Sequence, residues 1–353
     1  MNRSFPVIAL AVLVLGSGCA ASQIHARAIQ HNATGVGYLK DNSLDLARSR
    51  FEMALEFNPK FAEPYNNLGI VALKKGDMNA AVSYFSKAVD LNADFAEALN
   101  NLGWCYLLRR EFKKAEARFK SAIAVDPDYL AARANLGGVQ AALGRFEESR
   151  ETLTRVLEID PRNHDVRVTL GLVYQQLGRV SDATNSWMRV IEEDPKNAEA
   201  HFDLGSMLLL LKRFEDAATH LRTARDLMPR NADLRSNLGT ALLNIGKTEE
   251  AEKEFMAALA ISKDHPEAGF NLAKIRFGRG DLKAAGTGFV SACNMGLALA
   301  CYWLGDVMAV SGEIELARDI YEAYLASKPV GQEAEIAAAR KKFDALKKAV
   351  FKR

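Results

Sequence analysis

Gly35, Gly69, Gly103, Gly137, Gly171, Gly205 and Gly239 follow one another at intervals of 34 residues. Ala273 keeps the same phase, and Gly305 resumes it after a two-residue deletion. Twelve residues past each of these positions stands a small side chain: Ala47, Ala81, Ala115, Ser149, Ala183, Ala217, Ala251, Ala285 and Ala317. Four residues further on the side chain is always bulky, as Phe51, Phe85, Phe119, Leu153, Trp187, Leu221, Phe255, Phe289 and Tyr321. Proline closes six of the nine intervals, at Pro59, Pro127, Pro161, Pro195, Pro229 and Pro329. No other property of the chain constrains its fold as much. A segment this short cannot bury its own apolar face, so stability has to come from stacked neighbours. By length alone, 353 residues suggest two or three cores. The period replaces them with one array.

The columns also give the content of each interval. A glycine at the eighth position of a first helix, A, lets a second helix, B, come close. The small residue at position 20 does the same from B, and the bulky one at 24 fills the gap between neighbours. Proline at 32 cannot continue B and so ends the interval. Gly76, Gly144, Gly178, Gly246, Gly280 and Gly312 fall at the turn between the helices, where a left-handed cap suits glycine.

The second copy, AEPYNNLGIVALKKGDMNAAVSYFSKAVDLNADF, resembles the tetratricopeptide repeat and fills most of that family's columns. The resemblance covers nine repeats: 28–61, 62–95, 96–129, 130–163, 164–197, 198–231, 232–265, 266–297 and 298–331. It implies an all-α, right-handed superhelical solenoid. Residues 332–353 are predicted to form a last helix, with Ile336, Phe343, Leu346 and Val350 on one face and Lys and Arg over much of the rest. Such a helix suits a solvated end cap and, alternatively, contact with an anionic membrane.

Ahead of the repeats, Arg3 and the apolar run from Phe5 to Leu15 have the form of an export signal spanning residues 1–18. The run is too short to span a bilayer core, which needs roughly 20 residues. Gly18-Cys19-Ala20 resembles the lipobox of bacterial lipoproteins, in which the Cys becomes the acylated N-terminus. Gly16 departs from that pattern, which prefers Leu three residues before the Cys. The resemblance implies lipidation of Cys19, a short tether over 19–27, and an outer-membrane address facing the periplasm. Ordinary cleavage after Ala20 or Ala21 would give a soluble exported protein instead.

Composition closes off several functions. A net charge of +2 is far from the strongly basic surface that coats nucleic acid. Four cysteines are too few for a disulfide-built scaffold. Gly246-Lys247-Thr248 ends like a phosphate-binding loop, but that motif needs glycine where Ala241 stands, and a preceding strand. The six histidines show no metal-ligand spacing. No enzyme, cofactor, metal site or small-molecule substrate is expected.

Cys293 and Cys301 lie at the junction of repeats eight and nine, an arrangement that resembles the Sel1-like relatives of tetratricopeptide repeats. The resemblance implies a disulfide between adjacent helices, and two buried free thiols are the alternative. Cys105, on helix A of repeat three, reads as a small core residue.

In the family, partners lie along helix A positions 2, 5, 9, 12 and 13. Carried over to this chain, those positions give Asn66, Ile70, Asn100, Trp104, Leu107, Leu172, Gln175, Phe202 and Leu209 as groove residues. Position 5 holds no Lys or Arg, so the carboxylate clamp of chaperone-binding relatives is not expected. The groove reads as apolar with a few amides, suited to an amphipathic helix or extended segment of a protein partner. Asn66 and Asn100, on successive repeats, are candidates to bond a peptide backbone. Asn67, Asn101, Asn135, Asn237 and Asn271, one residue further on in their repeats, read as structural. A lipobox followed by such repeats resembles pilotin lipoproteins of type IV pili, lipoproteins of gliding-motility machines, and adaptors of envelope proteases; the alternative is a periplasmic adaptor or chaperone serving an envelope protease or a polysaccharide-export system. The expected function is a non-enzymatic scaffold for an envelope machine.

Overall fold

The computed structural model describes residues 26–350, with side chains to Lys347. Its elements are all helices, nineteen among the described residues, in the order A, B, A, B. The expected N-terminal signal, Cys19 and most of the tether lie outside the described residues. The described residues divide into two compact units, between Ser186 and Trp187.

In the first unit, α1 (Ala26–Lys40) and α2 (Leu44–Phe57) make repeat one, so Ala26 and Arg27 belong to a helix and not to the tether. Repeat two is α3 (Ala62–Lys74) and α4 (Met78–Leu91), and repeat three is α5 (Ala96–Leu108) and α6 (Phe112–Val125). Repeat four is α7 (Leu130–Ala142) and α8 (Phe146–Ile159); α9 (His164–Gln176) and α10 (Val180–Glu193) follow, and the unit boundary falls within α10. The expected close approach is present. A Cβ built on Gly35, Gly69 or Gly103 would stand 2.5–2.7 Å from the ring of Phe51, Phe85 or Phe119. On Gly137 it would stand 2.4 Å from Leu153. These bulky residues and the small column at Ala47, Ala81 and Ala115 are fully buried.

The second unit continues with α11 (Ala198–Leu210), α12 (Phe214–Leu227), α13 (Ala232–Asn244) and α14 (Thr248–Ile261). Repeat eight is α15 (Pro266–Gly278) and α16 (Leu282–Asn294), and repeat nine is α17 (Ala298–Val310) and α18 (Ile314–Ala326). The same register holds Gly205 against Leu221, Gly239 against Phe255 and Gly305 against Tyr321. α19 (Glu333–Val350) packs on the last repeat, with Ile336, Phe343 and Leu346 half-buried beside Tyr302, Tyr321 and Tyr324. Lys342 Nζ donates to Tyr302 Oη at 2.7 Å and to Asp306 Oδ1 at 2.5 Å. That ammonium also lies over the Tyr302 ring, 4.7 Å from its centroid.

All six turn glycines named above have φ between +70° and +84°. The other three repeats make the same turn with Asn42, Arg110 and Lys212, at φ +56°, +61° and +58°. Sequence alone did not single these out, because only glycine marks a left-handed turn unambiguously.

A second periodic contact was also missed. At position 4 of helix A, Arg133, Arg167, His201 and Arg235 each place a side-chain nitrogen at the carbonyl of the junction proline six residues earlier. Proline lacks an N–H but keeps its acceptor, and this side chain satisfies it.

Candidate protein-binding face

The groove residues read from the sequence fall into two groups. Asn66, Ile70 and Asn100 are buried, and Asn66 is fully so. Burial takes all three out of the groove, and for Asn66 and Asn100 it replaces the reading as groups that bond a peptide backbone. The cause is a ladder between repeats: Asn67 Nδ2 donates to Asn32 Oδ1 at 3.0 Å, Asn101 to Asn66 at 3.0 Å and Asn135 to Asn100 at 2.9 Å. Each position 6 amide thus spends its donor on the position 5 carbonyl of the preceding repeat. In the second unit the acceptor is a hydroxyl, with Asn237 donating to Ser206 Oγ at 3.0 Å and Asn271 to Thr240 Oγ1 at 3.3 Å.

Trp104, Leu107, Gln175, Phe202 and Leu209 are half-buried, and Leu172 is 40% exposed. Trp104 and Leu107 pack on the cluster of Phe119, Leu136 and Val139, so each shows only part of itself to solvent. Between Trp104 and Leu172 lies α7, which carries Ala131, Ala134, Gly138, Ala141 and Ala142 at positions 2, 5, 9, 12 and 13. A Cβ added to Gly138 would meet no atom within 4 Å. The face therefore has a step with no side chain taller than a methyl group, with Leu108 (45% exposed) before it and Leu172 after it. That step was visible in the sequence as a run of small residues at the named positions. What the sequence did not give was the flanking exposure.

The second unit presents a different surface at the same register. Leu210, at position 13, is 70% exposed. Further on, Lys274 sits over the rings of Phe270 and Trp303, 5.6 and 5.3 Å from their centroids. Position 2 adds carboxylates in most repeats: Glu63, Glu97 and Asp165 in the first unit, Glu199, Asp233 and Glu267 in the second. They sit in the first turn of helix A, where the helix dipole favours them. Burial, and then the charge of Glu97, push the Glu63 carboxyl up from its ordinary value.

Elsewhere the chemistry is structural. Cys293 and Cys301 are joined by a disulfide of 1.99 Å. Cys105 is a buried free thiol, pushed up to about 12 by burial, which leaves little thiolate at neutral pH. His201 Nδ1 and His220 Nδ1 are 3.0 Å apart, and burial lowers the pKa of both. Among the described residues no group of three or more His, Cys, Asp or Glu could hold a metal ion. None of the described helices is long and apolar enough to cross a membrane.

Paired antiparallel helices stacked on a fixed period, with an interaction face along the A helices, define a helical-repeat protein of the interaction type. Tetratricopeptide repeat profiles match residues 60–128, residues 109–158 and 208–260, and residues 168–232 and 236–292. Together they cover more than half of the chain, which belongs to the tetratricopeptide repeat family. No curated protein matches it in sequence. Among solved structures, pilF of Pseudomonas aeruginosa is similar at 18% identity, covering 59% of this chain and 95% of that one with a TM-score of 0.53. A tetratricopeptide repeat protein of Parabacteroides merdae, also at 18% identity and a TM-score of 0.53, covers 70% of this chain and 98% of its own. At that identity the likeness is one of fold. The matching families are protein-interaction repeats, and none names an enzyme.

Proposed function

We propose that this protein is a scaffold that captures an apolar helix or extended segment of a protein partner on the A-helix face of its first unit. The observation that carries this reading is the Ala and Gly step of α7 between Trp104 and Leu172. Bulky side chains of a partner fit over such a step, and the flanking apolar groups cover them from water. The position 2 carboxylates favour basic residues beside the apolar ones. We also propose that the scaffold works at the periplasmic face of the outer membrane, held by lipid on Cys19, in the assembly of an envelope machine such as a type IV pilus or gliding apparatus. Support for that part is the lipobox-like Gly18-Cys19-Ala20 directly ahead of the repeats. One acyl chain anchors only marginally, whereas several anchor stably.

Two measurements test the two parts separately. Labelling cells with radioactive palmitate is expected to mark the wild type and not Cys19→Ala; an unlabelled wild type makes the protein a soluble periplasmic adaptor instead. Crosslinked partners are expected to be lost with Gly138→Leu, which fills the step, and reduced with Leu172→Ala, at unchanged helical content. Recovery of the same partners by Gly138→Leu would sink the groove reading.

A further inference from the structure

Positions 4 and 23, on helices A and B, are nineteen residues apart and carry facing side chains. Arg50 Nη1 lies 3.5 Å from His31 Nδ1 in repeat one, and His201 and His220 meet in repeat six. In repeat seven Arg235 Nη1 donates to Glu254 Oε2 at 2.7 Å. Repeat eight alone has glycine at both positions, Gly269 and Gly288. The two glycines differ in what they permit. A Cβ on Gly288 would stand 2.8 Å from the Cβ of Ala273, so this glycine lets α16 approach α15. A Cβ on Gly269 would meet only Leu259, at 4.0 Å. The missing pair leaves a cavity of about 520 Å³ between α14, α15 and α16, within the ordinary range for ligand pockets.

The cavity lining has two parts. Leu259, Leu272 and Met295 give it an apolar floor, and Lys263, Arg276 and Lys283 bring three cations to it. None of these three is ion-paired among the described residues, whereas the neighbouring Arg225, Arg235 and Arg279 are held by Glu254 and Glu252. Asp281, the one acid in the lining, caps α16 by accepting from Ala284 N at 3.1 Å. His265 also lines the cavity and is buried, 8% exposed. Its Nδ1 lies 3.4 Å from Ala268 N and 3.3 Å from a Glu267 carboxylate oxygen. Its Nε2 makes no hydrogen bond; an Asp233 carboxylate oxygen at 3.3 Å lies outside hydrogen-bonding geometry. Three cations without an acidic partner among the described residues, at the edge of an apolar floor, are a place for a carboxylate.

We propose that this cavity is a second binding pocket, which takes a bulky apolar side chain flanked by Asp or Glu from an acidic protein segment. It goes beyond the groove described above. It uses positions 4, 7, 8 and 11 of α15, a different helix face from positions 5, 9 and 12, and its charge preference is opposite to that of the position 2 carboxylates.

The test is selection of a phage-displayed random heptapeptide library on the purified full-length protein, followed by fluorescence anisotropy of the selected peptides. The expected peptides pair Asp or Glu with Leu, Phe or Met. Their affinity is expected to fall at least tenfold in Gly269→Leu, which occupies the gap, and in Lys263→Glu/Lys283→Glu, which reverses the rim without touching the packing. The second variant decides the matter if the first fails to fold. Selection of no acidic peptide overturns the proposal, as does affinity that survives both substitutions. Peptides lost in Gly138→Leu but retained in Gly269→Leu also overturn it, and leave the groove reading standing. Binding of free laurate without any selected peptide shows a pocket for small carboxylates and overturns the protein partner.

Discussion

In repeat two, Gly69 lets Phe85 lie against α3, where a Cβ would stand 2.5 Å from the ring. In repeat eight the same position is Ala273, and the missing atom is found on the other helix, at Gly288. The comparison shows that the fold requires one close approach between A and B and not a glycine at one fixed place. Repeat eight departs in other ways as well. Its helix B has 13 residues where that of repeat two has 14. Its position 4 and 23 pair is absent, leaving the cavity, and a disulfide ties the end of α16 to α17. The cavity and the covalent link lie on opposite sides of α16, the one toward α14 and α15 and the other toward α17.

The largest effect expected from this comparison is at position 24. Phe85→Ala is expected to cost about 3–5 kcal/mol, the usual range for truncating a buried aromatic. Phe289→Ala is expected at the low end of that range, because the open space at Gly269 leaves the surroundings of α16 freer to collapse. Urea midpoints followed by circular dichroism measure both. A Phe289→Ala cost above that of Phe85→Ala would show that repeat eight is not the looser one.

Next comes the junction itself. Cys293→Ala/Cys301→Ala is expected to cost about 2–3 kcal/mol in the chain-entropy account of a short closed loop. Dithiothreitol should lower the stability of the wild type by a similar amount and leave the double variant unchanged. A reductant effect on the double variant would place the redox sensitivity elsewhere.

The exchange of glycine and alanine can be tested as a cycle. Gly288→Ala brings two Cβ atoms to 2.8 Å and is expected to cost about 1–3 kcal/mol through overpacking. Adding Ala273→Gly should return most of that loss, with a coupling energy of about 1 kcal/mol or more between the two sites. Simple additivity would mean that the contact is relieved by a shift of the helices.

The period, the helix pairs and the close approach were legible in the sequence because each rests on one residue type with one steric property. Glycine at position 8 and bulk at position 24 are of that kind. The candidate face was legible only in part. Asn66 and Asn100 were placed in the groove by register, and register alone could not show that Asn101 and Asn135 already occupy their carbonyls. The ladder pairs residues 35 apart, one more than the period, so a column-by-column reading passes over it. The cavity at Gly269 and Gly288 was hidden for a related reason: two unremarkable glycines matter only because other repeats fill those positions.

The smallest effect lies at the turn between A and B, where repeats two and three differ. Gly76 takes φ +81° in repeat two, and Arg110 takes φ +61° at the same place in repeat three. The left-handed conformation costs an L residue about 1–2 kcal/mol. Glycine avoids that cost but adds freedom to the unfolded chain worth roughly 0.5–1 kcal/mol. Arg110→Gly is therefore expected to stabilise by a few tenths of a kcal/mol to about 1 kcal/mol, and Gly76→Ala to destabilise by a similar amount. Among the described residues Arg110 makes no side-chain hydrogen bond or ion pair that the change would remove, and its backbone N–H donates to Leu107 O at 2.9 Å. A rise in the urea midpoint for Arg110→Gly and a fall for Gly76→Ala would assign the difference between the two repeats to backbone conformation. A fall for Arg110→Gly with a rise for Gly76→Ala would assign it to chain entropy, and would mean that an L residue is tolerated there at little strain.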